Sequence, residues 1–275
     1  MFASPRGLFT ATHLVRGATA GEDGSLAWFR TGAAHEELNA VLAVAGDRIP
    51  DAVRAMGAVP ALWHSWPEEP RFDVEEELLG RGFDFVEEEP VMVRALGTGS
   101  DAPAQTSPAP GLRIQRVTDR AALTTWVQVW TGSSDAAVTD ALADKGLGPG
   151  RGVEHLLAVL DGEPVGCAAA VVTGAALAVE HVVAAQQHRG KGVGTALTAA
   201  VLETGRNRRA TTAVLTASPD GLGIYQRLGF TPQTVVRRFR PPRGEDRTSA
   251  SPADVGGPAE TEDGRRLPGG AERAE

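Results

Sequence analysis

The sequence predicts an α+β fold, with a mixed and mostly antiparallel sheet flanked by helices, and three features of residues 112–240 carry this prediction. The apolar pattern of this segment reads as β-α-β-β-β-α-β-α-β, so strands and helices do not alternate strictly. An Asp-Gly turn at 161–162 separates two apolar runs and indicates an antiparallel hairpin. A glycine-rich loop at 189–194 lies between a predicted strand and a predicted helix.

The individual elements follow from the spacing of apolar residues. Residues 112–117 alternate between apolar and polar side chains, which is typical of a half-buried strand. The period then changes, and Thr118 or Asp119 is suited to cap a helix. The apolar face of this helix would carry Leu123, Trp126, Val127 and Trp130. The remaining predicted elements are strands at 155–160, 165–172 and 176–185, a helix through about 204, a strand at 211–216, a helix at 220–228 and a strand at 234–239.

Composition divides the rest of the chain. Residues 97–111 are small, polar and rich in proline, so they predict a linker. Residues 241–275 have almost no large apolar side chains to bury, and they predict a disordered tail. Residues 1–96 predict a smaller α+β unit, with a helix near 49–56 and strands at 8–15, 26–30, 40–44 and 91–96.

This smaller unit contains a short segment that is similar in sequence to a segment of the larger unit. Residues 75–83 end in Leu-Gly-Arg-Gly-Phe and precede a predicted strand, as the Leu-Gly-Phe at 228–230 does. When the two segments are aligned on the final phenylalanine, Leu78 stands in place of Tyr225, and no glycine-rich loop like that at 189–194 comes before it. The sequence therefore predicts a degenerate repeat that has lost its site residues.

Charge and cysteine content exclude several classes of protein. The 27 basic and 35 acidic residues give a net charge of −8, which disfavours nucleic acid as a partner. No apolar stretch reaches the ~20 residues of a membrane span, and the first residues do not resemble an export signal. Cys167 is the single cysteine, and no Cys/His cluster has the spacing of a metal site. We expect a cytoplasmic protein without a metal, as a monomer or a homodimer.

The glycine-rich loop is suited to bind an anion, because backbone N–H groups converge at the start of a helix. It lacks the Gly-Lys-Ser/Thr of the ATPase loop, and Thr195 or Leu197 occupies the third glycine position of the dinucleotide motif. It does match R-x-x-G-x-G, and GIYQRLGF follows at 223–230. Together these motifs resemble those of the GNAT superfamily of acyl-CoA N-acyltransferases. The resemblance makes 112–240 the catalytic domain and 1–96 a degenerate GNAT-like unit.

The resemblance also implies which residues hold an acyl-CoA. Backbone groups of Val182, Val183 and Ala184 would bind pantetheine and polarise the thioester carbonyl. Ser218 stands where many relatives carry an asparagine that binds pantetheine, and this departure weakens the expected contact. The pyrophosphate would be held by Arg189, Gly190, Lys191, Gly192, Val193, Gly194 and Thr195.

The same resemblance gives Tyr225 the role of the acid that protonates the departing thiolate. A phenol with a pKa near 10 keeps its proton at neutral pH, so it is suited to this role, although it could instead only pack on Phe230. The resemblance further implies acetyl-CoA as the acyl donor, no metal, and direct attack by a small-molecule amine in a ternary complex. The alternatives are a noncatalytic acyl-CoA-binding or regulatory module, or acyl transfer to an acceptor that is not an amine.

Glu180 is the predicted base. It lies in the strand before the loop, and strand alternation places it on the same face as Val182 and Ala184, with His181 on the opposite face. Burial in an apolar strand would raise the pKa of Glu180 and suit it to accept a proton from an ammonium group. The alternatives are that Glu180 is exposed to water or only binds a cationic substrate, or that His181 acts through a water.

Several other side chains have plainer interpretations. Trp126 and Trp130 are expected in the core, with a role as a pocket wall as the alternative. Cys167, in an apolar run of small residues, is expected to pack as a small hydrophobe. The acidic runs, which include Glu87 to Glu89, are expected to form solvated surface.

Overall fold

The computed structural model describes residues 4–67, 71–97, 109–144 and 146–242. Most of the predicted linker, 98–108, and the predicted tail from 243 onward lie outside the described residues. Within the described residues no helix is both long and apolar enough to cross a membrane. The elements in chain order are α1 (Pro5–Leu14), β1 (Thr19–Glu22), β2 (Leu26–Arg30), β3 (Asn39–Val44), α2 (Ile49–Met56), β4 (Leu62–Ser65), α3 (Arg71–Gly80), β5 (Asp84–Ala95), β6 (Leu112–Arg116), α4 (Arg120–Thr131), α5 (Ala136–Ala143), β7 (Val153–Leu160), β8 (Glu163–Thr173), β9 (Ala176–Ala184), α6 (Val193–Asn207), β10 (Thr212–Thr216), α7 (Pro219–Arg227) and β11 (Thr231–Arg240).

The larger unit has the predicted α+β architecture. Its strands and helices occur in the predicted order, and Asp119 caps α4 by accepting a hydrogen bond from the Ala122 N–H at 2.9 Å. Asp161 and Gly162 both have positive φ angles, 52° and 90°, as a two-residue hairpin turn requires. The short helix α5, capped by Asp135, was not predicted.

The smaller unit differs from the prediction at its start. Residues 8–15 were expected to form a strand, but they belong mostly to α1. Ser4 caps this helix and Pro5 occupies its first turn, both of which favour a helix start. The buried residues Leu8, Phe9, Thr12 and His13 follow helical spacing, which a short apolar run does not separate clearly from a strand. Strands β1 and β4 were also not predicted.

All the strands of the described residues form one 11-stranded sheet in the order β1-β2-β3-β4-β11-β5-β10-β9-β8-β7-β6. The two units exchange strands at its centre. Strand β5, from the smaller unit, lies between β10 and β11, and β11, from the larger unit, lies between β4 and β5. Each unit also contains one parallel pair next to this centre, β3 with β4 and β9 with β10. This symmetry confirms the predicted degenerate repeat.

Side chains on β8 show how the sheet is covered on both faces. Cys167, Ala169 and Val171 belong to the core cluster that includes α1 and α4 residues. The intervening Ala168, Ala170 and Val172 belong to the cluster that includes α6 and α7 residues. Small residues on both faces allow helices to approach a central strand closely. The sheet is therefore buried where it carries the glycine-rich loop.

The strand exchange makes the smaller unit depend on the end of the larger one. Phe239 on β11 is 1% exposed and packs in the cluster formed by α2 and α3, whereas its neighbour Phe85 is 47% exposed. We expect Phe239→Ala to lower the free energy of unfolding by about 3–5 kcal/mol, because it leaves a cavity in that core. Phe85→Ala, the matched control, should cost about 1 kcal/mol or less. Equal losses in chemical denaturation would contradict this account of β11.

Candidate active site

The sheet opens at the end of β9. Strands β9 and β10 are paired only from Ala176 to Ala178 on β9, and beyond that point β9 continues to Ala184 without a partner on that side. The backbone groups of Val182 and Val183 consequently border a cleft rather than a neighbouring strand. A cleft of about 490 Å³, which we call the loop cleft, extends from this opening between the glycine-rich loop and α7.

The glycine-rich loop turns its backbone toward this cleft. Gly190 and Gly192 have φ angles of +76° and +80°, and Gly192 is the N-cap of α6. A Cβ added at Gly190 would meet no atom within 4 Å, so the space beside it is open. The N–H groups of the first turn of α6 have no acceptor within the helix and attract an anion. These features fit the phosphate groups of an acyl-CoA.

The structure brings the loop residues predicted to hold pyrophosphate together around the loop cleft. All but one of them line it, namely Arg189, Gly190, Gly192, Val193, Gly194 and Thr195. Lys191 is exposed and does not line the cleft. The guanidinium of Arg189 lies 3.3 Å from the carboxylate of Asp220 on α7, across the cleft.

Tyr225 lies on α7 at the inner end of the loop cleft. Its side chain is packed edge-on against Phe230, with 6.1 Å between ring centroids, and it also lines the cleft. Burial, followed by the negative charges of Glu180 and Glu89, raises the pKa of Tyr225 to about 12. The hydroxyl therefore keeps its proton throughout the neutral range.

A second cavity, which we call the acidic cavity, has a volume of about 300 Å³ and begins where the loop cleft ends. The smaller unit contributes 11 of its 21 lining residues, from α1, β2, β3, β4, β5 and the segments after α1 and β2, so the smaller unit builds it together with β9. Ser218 lies at the junction and caps α7 by accepting a hydrogen bond from the Gly221 N–H at 3.3 Å. Four residues line both cavities: Val182, Val183, Ser218 and Tyr225.

The prediction that Glu180 and His181 face opposite sides of the sheet is wrong. Between Glu180 and Val183, strand β9 has one residue more than β8 has between Ala169 and Cys167. This bulge places His181 at a φ of +52° and interrupts the alternation of side chains. Both Glu180 and His181 therefore line the acidic cavity.

The expected rise in the pKa of Glu180 is also wrong. Burial would raise this pKa, but the positive charges of His13 and Arg16 outweigh burial and lower it below the ordinary value. Glu180 Oε1 lies 3.2 Å from His13 Nε2, and Oε2 lies 3.2 Å from Arg16 Nη1. Both cations come from α1 and the residues after it, which the sequence does not show to be near β9.

His181 is held in the same network. Its Nδ1 lies 3.3 Å from Glu37 Oε2, and its Nε2 lies 2.7 Å from Arg16 Nη2. Burial lowers the pKa of His181, while Glu37 opposes this effect. An arginine can only donate, so the Nε2 of His181 accepts and its Nδ1 donates to Glu37. Burial alone would raise the pKa of Glu37, but the hydrogen bond with His181 lowers it to about 2.

Other expectations have mixed outcomes. Trp126 is fully buried and donates from Nε1 to the Ala168 carbonyl at 2.9 Å, so its assignment to the core is confirmed. Trp130 instead lines the acidic cavity, 4.3 Å from the His181 ring between centroids. Cys167 is buried as expected, and burial raises the pKa of its thiol.

Sequence analysis missed most of the acidic cavity. Glu89 was expected on the solvated surface, but it is buried because β5 lies at the centre of the sheet rather than at an edge. The other cavity residues not singled out from the sequence include His13, Arg16 and Arg238. The alternation of Glu87 and Glu89 on a strand was the one signal that they share a face.

The ion pairs of Glu180 lead to a prediction about stability. Glu180→Gln should lower the free energy of unfolding by about 3 kcal/mol at pH 7, because it leaves Arg16 buried without its charge partner. The folded-state pKa of Glu180 lies below its ordinary value of 4.5, so the wild-type advantage is full above that pH and shrinks as the pH falls further. Chemical denaturation of both proteins from pH 7 to pH 3 measures the difference in their free energies of unfolding. A difference that stays constant over this range would contradict the lowered pKa of Glu180.

The opening between two parallel strands, the helix start beside it and the two connected cavities lie mostly within a segment that matches a family of acyltransferases. Residues 121–230 match the family model described as "Acetyltransferase (GNAT) family". Over this segment the chain is similar to GNAT acetyltransferases, and the smaller unit repeats the arrangement of its strands in degenerate form. A sequence comparison with curated proteins found no match.

Solved structures share this fold over most of the chain. A GCN5-related N-acetyltransferase from Kribbella flavida has a TM-score of 0.63 at 20% identity, covering 88% of this chain and 96% of that one. A conserved protein of unknown function from Staphylococcus epidermidis has a TM-score of 0.58 at 14% identity, covering 82% and 94%. A tandem GNAT protein from the clavulanic acid biosynthesis pathway has a TM-score of 0.50 at 16% identity, covering 86% and 94%. At these identities the similarity shows the fold alone.

Proposed function

We propose that this protein is an N-acetyltransferase that moves the acetyl group of acetyl-CoA to a small-molecule amine by direct attack in a ternary complex. The observation that carries the proposal is the junction of the two cavities at Val182, Val183, Ser218 and Tyr225. An acyl donor in the loop cleft and an amine in the acidic cavity would meet there without leaving the protein. Such juxtaposition of two reactants is itself a large source of rate enhancement.

The residues at the junction suit the steps of the reaction. A neutral amine attacks the thioester carbon, and negative charge develops on the carbonyl oxygen. Backbone N–H groups of the unpaired end of β9, at Val182 to Ala184, would stabilise this charge. As the carbon–sulfur bond breaks, the Tyr225 hydroxyl gives its proton to the thiolate. The attacking nitrogen carries an extra proton after the attack and releases it to solvent, and the phenolate takes up a proton from solvent. The products are the N-acetylated amine and CoA.

The loop cleft supplies the binding part of the proposal. Arg189, Gly190, Gly192, Val193, Gly194 and Thr195 surround the space proposed for the pyrophosphate, and Lys191 adds an exposed positive charge nearby. Ser218 borders the pantetheine path, but its hydroxyl already accepts the Gly221 N–H, so its contact with the donor is weaker than that of an asparagine.

Glu180 has a different role in this proposal from the one that the sequence indicated. Its lowered pKa makes it a poor acceptor for a proton from an ammonium group. Glu180 instead fixes His13 and Arg16 in the wall of the acidic cavity. It is a positioning residue, and Glu180→Gln should therefore raise KM for the amine more than it lowers kcat.

The decisive experiment measures thiol release from acetyl-CoA across a panel of amines, alcohols and thiols, with acetyl-CoA alone as the blank. Release that depends on an amine, together with the acetylated product by mass spectrometry, supports the proposal. Binding of acetyl-CoA without acceptor-dependent release would indicate a noncatalytic binding module. Release with alcohols or thiols only would indicate a different acceptor class on the same scaffold.

A further inference from the structure

The lining of the acidic cavity contains more carboxylates than guanidinium groups. It includes two arginines, Arg16 and Arg238, and five glutamates, Glu36, Glu37, Glu87, Glu89 and Glu180. Arg16 is paired with Glu180, and Glu36 is paired with Arg240 from outside the lining. These pairings leave Arg238 as the guanidinium that faces the two glutamates of β5.

Strand β5 presents these two glutamates to the cavity on one face. Glu87 and Glu89 are two residues apart and both line the cavity, while the intervening Glu88 is exposed and lies 3.2 Å from Arg237 Nε. Arg238 Nη1 lies 2.8 Å from Glu87 Oε1 and 2.9 Å from Glu89 Oε2. The Arg238 guanidinium is therefore shared by two carboxylates. When both glutamates are ionised, this wall of the cavity has one negative charge in excess.

A buried carboxylate needs a positive partner to stay ionised. Glu89 is 7% exposed, and burial raises its pKa even though Arg238 opposes the rise, so a second cation beside it would favour its ionised form. Burial, with a smaller contribution from Arg238, lowers the pKa of His64 to about 3, so this ring is neutral. Its Nδ1 lies 2.9 Å from the Val41 carbonyl and donates to it, which leaves Nε2 as a further hydrogen-bond acceptor.

A second and independent feature indicates that a polar ligand belongs in this cavity. Tyr225 is 8% exposed and lines the cavity, and its hydroxyl has no hydrogen-bond partner among the described residues. The hydroxyl is therefore available to a group that occupies the junction of the two cavities.

We propose that Glu87 and Glu89 bind an ammonium group of the acceptor other than the neutral amine that is acetylated, so that the site selects amines of net positive charge and rejects amino acids. A carboxylate on the acceptor would lie close to the same two glutamates, and like charges in a partly buried site repel strongly. This inference rests on the proposed function, because it takes the acidic cavity as the acceptor site. It assigns acceptor specificity to the smaller unit and donor binding to the larger one.

Calorimetry on the protein saturated with CoA tests the proposal without turnover. The probes are 1,4-diaminobutane and 4-aminobutanoate, which have the same carbon chain and differ in one charged end. We expect the diamine to bind at least about tenfold more tightly, and Glu87→Gln and Glu89→Gln each to weaken its binding about tenfold. Glu88→Gln, the matched control on the opposite face of β5, should change nothing.

Equal binding of the two probes, equal effects of the three variants, or no binding of the diamine would each overturn the inference. Thermal melting checks that the variants fold. If Glu89→Gln does not fold, the binding of the diamine to Glu87→Gln tests the inference. The Glu87 side chain is 44% exposed, so this substitution should not prevent folding. Thiol release reports separately on the proposed function. Glutamate-dependent binding of the diamine without thiol release would refute acetyl transfer but not the ammonium site.

Discussion

Replacement of Tyr225 by phenylalanine should lower the rate of acetyl transfer by about 100-fold or more, with little change in the affinity for acetyl-CoA. The substitution removes only the hydroxyl and keeps the ring that packs edge-on against Phe230. Without an acid in place, the thiolate must leave unprotonated, and general acid catalysis typically contributes at least this factor. Single-turnover measurements of acetylated product give the rate directly, and calorimetry with acetyl-CoA gives the affinity.

The pH dependence provides a second test of Tyr225. Burial raises its pKa to about 12, so the acid stays protonated up to a pH well above neutral. The wild-type rate should therefore not decline on the alkaline side below about pH 11 because of this group. Unchanged single-turnover rates in Tyr225→Phe would remove Tyr225 from the mechanism. A decline in the wild-type rate between pH 8 and 10 would have to come from the titration of another group.

Replacement of Gly192 by glutamate should weaken the binding of CoA by about 100-fold or more. Gly192 has a φ of +80°, which strains any side chain, and it forms the N-cap of the helix whose first N–H groups face the loop cleft. The new carboxylate would also lie where the phosphates are proposed to bind, and it would repel them. Calorimetry with CoA measures the loss.

The control for this variant is Gly162→Glu in the turn between β7 and β8. Gly162 also has a positive φ, 90°, and a Cβ added there would meet no atom within 4 Å. Gly162→Glu therefore reproduces the backbone strain and the added charge away from the loop cleft, and it should leave the affinity for CoA unchanged. Equal losses in the two variants would show that strain, rather than anion binding, explains the effect.

The strand exchange explains why a degenerate unit is retained in this molecule. It supplies β5, which fills the position between β10 and β11, and it supplies most of the wall of the acidic cavity. A version of the larger unit without residues 1–96 would leave one edge of β10 unpaired and the Tyr225 junction open to water. The smaller unit therefore completes the sheet, and under the proposed function it also binds the acceptor, although it lacks the tyrosine and the glycine-rich loop.

The sequence by itself determined the local parts of this protein. The elements of the larger unit, the turn at Asp161 and Gly162, the glycine-rich loop and the position of Tyr225 all follow from spacing within a few residues. Such features depend on backbone preferences and helix or strand periodicity, which a short stretch of sequence contains in full. The resemblance to the GNAT family rested on two of these local motifs.

Only the tertiary structure decided what surrounds the proposed reaction centre. The bulge at His181 reversed the expected side-chain direction, and the charges of His13 and Arg16 reversed the expected pKa shift of Glu180. The exchange of β5 and β11 buried Glu89, which an acidic run on its own does not predict. The physical reason is common to all three: burial and electrostatic effects depend on distances between residues far apart in the chain, and those distances exist only once the sheet has formed.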